Sequence, residues 1–273
     1  MKMHIGVVFI ARISTLLLLL ALLLPWMGCA TTSTRARIAA QYNFTTNNTT
    51  ITIAKYIGDG DEVTIPSVIN SLPVTHIGEK AFVSCDALSS VIIPDSVTKL
   101  GINAFASCHN LTSVTIGTGV KSIGGSAFCD CTSLTNITVD PNNHAYSSLG
   151  GVLFNKNQTT LIQYPCGNVG PYTIPGGVTS LGYGAFAWNP NLSRIIIDAG
   201  LAIIRDYAFF NCPNLTGVYF RGNAPSLGGA NVLTAYPTGY TPATIYYLAN
   251  TTGWGKTFGG RPTSVWTGEL PQP

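Results

Sequence analysis

The strongest constraint on the fold is an Ala-Phe pair that returns at a fixed interval. Phe82, Phe105 and Phe128 lie 23 residues apart, Phe186 and Phe209 are again 23 apart, and each follows an Ala. Three residues after each Phe stands Cys85, Cys108, Cys131, Asn189 or Cys212, and three further on Leu88, Leu111, Leu134, Leu192 or Leu215. Four residues before Phe comes Gly78, Gly101, Gly124 or Gly182, with Arg205 in the last unit. One such unit cannot bury its own apolar set, whereas stacked units share a continuous core. The spacing therefore predicts a quasi-one-dimensional, β-rich solenoid.

Within the unit that runs from Leu111 to Cys131, Leu111, Val114 and Ile116 have the L-x-x-L-x-L spacing of a leucine-rich repeat strand. Side chains alternate along a strand, so Val114 and Ile116 point inward and Ser113 and Thr115 outward. Val120 and Ile123 fill the core from the returning segment, Gly124 permits a turn, and Ala127 and Phe128 pack the outer side of the coil. Stacked strands then form one parallel sheet whose exposed face carries Ser90, Ile92, Ser113, Thr115, Asn136, Thr138, Arg194, Ile196, Gly217 and Tyr219. Phe128 and Phe186 are 58 residues apart, one repeat plus 35. The extra segment, about 140–171, predicts an inserted hairpin of Val152–Phe154 and Thr160–Gln163. Residues 41–65 alternate polar and β-branched types and suit an N-terminal capping hairpin; the repeats run over 66–222. Residues 223–273, with a strand at Ala243–Leu248 and Trp254, Phe258 and Trp266 among glycines, suit a C-terminal cap and tail.

The pattern I-P-x-x-V-x-x-I-G-x-x-A-F-x-x-C-x-x-L, readable from Ile93-Pro94 to Leu111 and from Ile174-Pro175 to Leu192, resembles the repeats of BspA-like, or treponemal, leucine-rich repeat proteins. The resemblance spans roughly residues 41–266. Gly117, Asp198 and Arg205 depart from it, where Pro, Pro and Gly are expected. It implies a bacterial exported protein of surface display, adhesion and binding to extracellular or envelope proteins, with no catalytic residues to carry over.

The first 30 residues read as a signal peptide: Lys2 and Arg12 precede an apolar run from Ile13 to Met27. The run is shorter than the ~20 residues a membrane-spanning helix needs, and Pro25 sits near its end. Met27-Gly28-Cys29 has the form of a lipoprotein signal with Cys29 as the lipidated residue, while Gly28-Cys29-Ala30 also fits ordinary cleavage. A cut as late as residue 40 stays open too. The only predicted membrane contact is therefore through an N-terminal lipid anchor. Without residues 1–30 the chain has 12 basic and 11 acidic residues, a net charge of +1. With no basic cluster it is a poor partner for nucleic acid or acidic membranes.

No cofactor or metal site is expected. Cys85, Cys108, Cys131 and Cys212 share one repeat position and read as a row of small buried side chains. Cys129 and Cys166 lie off that row and are the better candidates for a disulfide in an exported protein. A Cys129-x-Cys131 metal pair lacks partner ligands. His76, His109 and His144 fall in different coils or loops, and Asp59, Asp61, Glu62 and Asp140 read as turn residues. The exposed sheet carries no paired acids, so the expectation is a non-enzymatic binding surface, sharpest at Arg194, Ile196 and Tyr219 because Tyr and Arg favour binding hot spots. A structural envelope scaffold and non-catalytic polysaccharide binding through Tyr219, Trp254 and Trp266 are the alternatives.

Overall fold

A computed structural model describes residues 32–237 and 239–269. The described residues form a stack of short coils in which each repeat contributes one strand to each of two parallel sheets. A short helix, α1 (Thr32–Ala39), precedes the capping hairpin of β1 (Tyr42–Thr46) and β2 (Ile51–Tyr56). The longer strands β3 (Glu62–Thr64), β6 (Ser90–Ile93), β8 (Ser113–Ile116) and β10 (Asn136–Val139) pair in parallel in the order β10-β8-β6-β3. On another side of each coil, β2, β5 (Leu72–Ile77), β7 (Lys99–Leu100) and β9 (Ser122–Ile123) form the second sheet.

The repeat strands β7 and β9 have two residues each, too few to show an alternating pattern, so this second sheet is not predicted by periodicity. The repeat glycines explain it. Gly78, Gly101, Gly124 and Gly182 each donate N–H to the coil below, to Ile53, Ile77, Leu100 and Leu161 carbonyls at 2.8–2.9 Å. A Cβ at Gly101 would lie 2.4 Å from the Glu79 nitrogen, and one at Gly124 would lie 2.5 Å from the Ile102 nitrogen. Neither glycine has a left-handed φ. Glycine is thus required by coil-to-coil approach rather than by a turn.

The repeat Phe rings are not on the outer side of the coils. Phe82, Phe105, Phe128, Phe186 and Phe209 are wholly buried and stack on one another. Centroids are 5.0 Å apart for Tyr56–Phe82, 4.7 Å for Phe82–Phe105 and 5.5 Å for Phe105–Phe128. Beside this column the repeat cysteines donate to the Phe carbonyl of the coil before. Cys108 reaches Phe82 at 3.0 Å, Cys131 reaches Phe105 at 3.1 Å and Cys212 reaches Phe186 at 3.1 Å. Asn189, at the same place, instead accepts from the Asn191 and Leu192 amides at 2.9 Å.

The insert divides the stack. The expected hairpin forms between β12 (Val152–Asn155) and β13 (Thr160–Gln163), and β11 (Tyr146–Leu149) adds a third antiparallel strand. Asn143, fully buried, closes the first array: its amide donates to Gly117 and Val120 carbonyls and accepts from the Ala145 and Tyr146 amides. Beyond the insert, β13 continues in parallel into β15 (Ser180–Leu181), β17 (Ile203–Ile204) and β19 (Ser226–Leu227). The longer strands resume as β14 (Gly170–Thr173), β16 (Leu192–Ile197), β18 (Gly217–Phe220), β20 (Thr244–Leu248) and β22 (Arg261–Trp266), with β21 (Thr257–Phe258) antiparallel at the edge. The single parallel sheet expected from the repeats is therefore two sheets, and the core is two clusters, one on each side of the insert. Trp254 and Phe258 close the far end against Phe220.

Candidate functional site

The exposed face of the first long-strand sheet is built by register. Ser90, Ser113 and Asn136 are direct neighbours across β6, β8 and β10, and Ile92, Thr115 and Thr138 form the next row. Glu62 and Thr64 of β3 extend both rows. Ile92 is 47% exposed, Thr115, Asn136 and Thr138 are exposed, and Ser90 and Ser113 are half-buried. Asn136 donates to the Thr138 hydroxyl at 3.2 Å, which holds that corner of the face rigid. Three successive coils thus present a strip of small polar groups with one isoleucine, bordered by the exposed carboxylate of Glu62.

The corresponding face of the second array differs from expectation. Arg194 is half-buried, while Ile196 and Tyr219 are only 5% and 4% exposed. Both lie on the outward rows, yet other side chains cover them. Gly217 leaves room for the Tyr219 ring to lie flat along the sheet: a Cβ there would come within 2.6 Å of that ring. Tyr246 stacks on Tyr219 at 4.6 Å, and Trp266 meets it edge-on at 5.2 Å. Burial raises the Tyr219 pKa, Tyr246 adds to this and Arg194 opposes it. Ile196, Tyr219 and Trp266 form a small apolar cluster of their own, so this end of the face is sealed. Trp254 is wedged between Phe220 and Tyr247. None of the three aromatic residues expected to stack on sugars is a free platform.

The acids serve the stack. Asp86 meets His109 at 2.8 Å, Asp95 accepts the Thr118 amide at 2.7 Å and Asp198 meets Arg221 at 2.8 Å, each across 23 residues. His109 also approaches Asp130 at 3.5 Å. Hydrogen bonds from His109 lower the Asp86 pKa, and Asp86 raises that of His109. Asp140 accepts the Asn142 amide in a turn. Among the described residues no group of three or more His, Cys, Asp or Glu is placed to hold a metal.

Cys129 and Cys166, the better candidates for a disulfide, are not bonded. Both are buried free thiols with separate partners, Asn103 for Cys129 and the Ala187 carbonyl for Cys166. Burial pushes Cys129 up to about 12 and Cys166 higher still, which keeps both protonated. Cys29 and the apolar segment before it lie outside the described residues.

Among solved structures, the pneumococcal vaccine antigen PcpA is 16% identical, with a TM-score of 0.43 over 76% of this chain and 79% of that one. A leucine-rich repeat protein of T. pallidum is 23% identical, with a TM-score of 0.43 over 77% and 84% of the two chains. A leucine-rich cell surface protein of Faecalibacterium prausnitzii is 19% identical, with a TM-score of 0.37 over 84% and 94%. No curated protein sequence gives a significant match. The family model described as the BspA type leucine-rich repeat region matches in six copies over residues 53–169 and 163–230, well over half of the chain, and the chain therefore belongs to the BspA-type leucine-rich repeat family.

Proposed function

We propose that the chain is an exported, non-enzymatic module that binds an extracellular or envelope protein through the open face of its first array. The observation that carries this reading is the pair of accessible rows Ser90–Ser113–Asn136 and Ile92–Thr115–Thr138, held in register across three coils. A hydroxyl-rich strip bordered by one carboxylate suits a protein surface, and repeat solenoids use extended faces in this way. Membership of a leucine-rich repeat family supports the same role. Export rests on the charged start and apolar run of residues 1–30. Mass spectrometry of the mature protein decides its form: an acylated Cys29 means a membrane-anchored lipoprotein, and an unmodified N-terminus at Thr31 or Gln41 means a secreted one.

The test of the binding face is a triple variant, Ile92→Arg, Thr115→Arg and Thr138→Arg, compared with the parent on immobilised extracellular-matrix proteins. All three positions are exposed, so the fold should be retained. The expected result is loss of binding in this variant and full binding in Tyr219→Phe. Binding that survives the three arginines would place the interface elsewhere and overturn the proposal.

A further inference from the structure

We infer a second binding site, on a different side of the molecule, that takes a neutral oligosaccharide. The turn that carries each Ala-Phe pair bends through two left-handed residues per coil. At the first place stand Lys80, Asn103, Ser126, Gly184 and Tyr207; at the second stand Ser84, Ser107, Asp130, Trp188 and Asn211. Gly, Asn and Asp suit this conformation, and Lys80, Ser84, Ser107 and Ser126 also take it; Trp188 and Tyr207, at φ 59° and 60°, are the two large rings held where bulky side chains are most disfavoured. Both rings remain partly exposed, so burial does not explain them. Locally strained side chains that the core does not need point to function.

The two rings are not alone. Tyr183, 47% exposed, lies 5.2 Å from Tyr207; Phe210 lies 5.3 Å from Tyr207 and 5.6 Å from Trp188. Other coils carry Glu79, Ile102, Gly125 or Asp206 at the place of Tyr183, and Val83, Ala106, Cys129 or Ala187 at the place of Phe210. The aromatic ledge is therefore confined to the two coils after the insert. The insert also sets what it faces. Its shortened coil places Tyr164 beneath Phe186 at 5.2 Å and brings the Phe186 turn against the last turn of the first array, with Tyr183 over Gly125 and Gly184 beside Ser126. A groove of about 400 Å³ results. One wall is the aromatic ledge, and the other carries Asn103, Ser107, Ser126 and Asp130.

This division of labour fits a sugar. Aromatic faces pack on the apolar C–H face of a pyranose, and amide, hydroxyl and carboxylate groups bond its hydroxyls. The groove's charged side chains are one acid and one base, Asp130 and Lys80, so its chemistry suits an uncharged ligand. Polar groups on successive coils also suit a ligand that is itself a repeat.

The test uses the chain from residue 31 onward and its double variant Trp188→Asn, Tyr207→Asn. Asparagine already occupies both turn places, as Asn103 and Asn211, so the variant should fold with an equal or higher Tm. Both proteins are applied to an array of neutral glucose, mannose, galactose and xylose oligosaccharides, with affinities measured by isothermal titration calorimetry, which does not depend on the tryptophan that the variant removes. The expected result is binding by the parent and a loss of about tenfold or more in the variant. Absence of binding to every neutral oligosaccharide overturns the proposal, as does equal binding by the variant. Preferential binding of a proline-rich peptide over all sugars also overturns it, since aromatic grooves serve that ligand too.

Discussion

Gly124 and Gly176 separate two uses of the same residue. At Gly124 a methyl group would meet backbone atoms of the neighbouring coil at 2.5–2.8 Å. Backbone cannot step aside cheaply, so Gly124→Ala should lower stability by about 2 kcal/mol, within the range for overpacking. At Gly176 the nearest atom is 3.8 Å away and φ is not left-handed. There Gly176→Ala should be neutral or stabilise by up to ~1 kcal/mol, because alanine restricts the unfolded chain. Urea titrations of both variants check the pair; equal losses would show that coil contact is not what selects the repeat glycines. The regular spacing made the position legible, but the reason was not, since spacing does not reveal what lies on the next coil. The burial of Tyr219 is hidden from the sequence for a related reason. Its outward direction follows from alternation, whereas its burial depends on the missing side chain of Gly217 and on rings brought from β20 and β22.

His109 offers a titration at the same scale. Its pKa is raised above the ordinary 6.5, mainly by its hydrogen bond to Asp86, and that of Asp86 is lowered below 3.8. A raised base stabilises below its unfolded pKa and loses that contribution as pH rises through the folded value; a lowered acid stabilises above its unfolded pKa and loses it as pH falls. The pair therefore contributes most between about pH 4 and 6.5. Both groups are solvent-exposed, so the stability effect is small. NMR titration should place the His109 pKa above 6.5 and show it falling in Asp86→Asn; no change in that variant would mean the contact is absent in solution.

At the scale of the element, the phenylalanine column governs stability. Phe105 is fully buried and stacked on both sides. Phe105→Ala should cost about 3–5 kcal/mol, as large-to-small changes in tight cores do. A cost under 1 kcal/mol in a thermal or urea transition would mean that the neighbouring coils close over the gap. This column was legible in its residues and not in its place, because an Ala-Phe period announces packing without saying which side of the coil receives the ring. The hairpin of the insert was readable from two short apolar runs, Val152–Phe154 and Thr160–Gln163, around a polar turn. Strand β11 was not, because Tyr146-Ser147-Ser148-Leu149 has little apolar alternation and is held instead by pairing with β12 and by the buried Asn143 at its base.

The whole molecule is two stacks joined through one insert. Strand β12 straddles the join: Leu153 belongs to the first core, while Val152 and Phe154 belong to the second. In a solenoid each coil supports mainly its neighbours, so damage should stay local. Hydrogen exchange of the Phe105→Ala protein should show lost protection across β6, β8 and β10 and near-parent protection in β16, β18 and β20. Uniform loss would instead mean that the insert couples the two stacks into one cooperative unit.

The stack is a fibre stopped at both ends. Parallel coils in register are the architecture of a growing filament, in which any exposed edge can template the next strand. Here the short-strand sheet ends on the antiparallel β1, and the long-strand sheet ends at the opposite pole on the antiparallel β21, where Pro262 also removes a donor from β22. The other edges at the two poles, β3 and β19, are three and two residues long, and the remaining sheet ends, β9, β10, β11 and β14, lie at the insert. An incoming coil would need two parallel edges at one pole and finds only one, and that one short. The repeat that could in principle be continued coil by coil thus ends in edges poorly shaped to accept another copy.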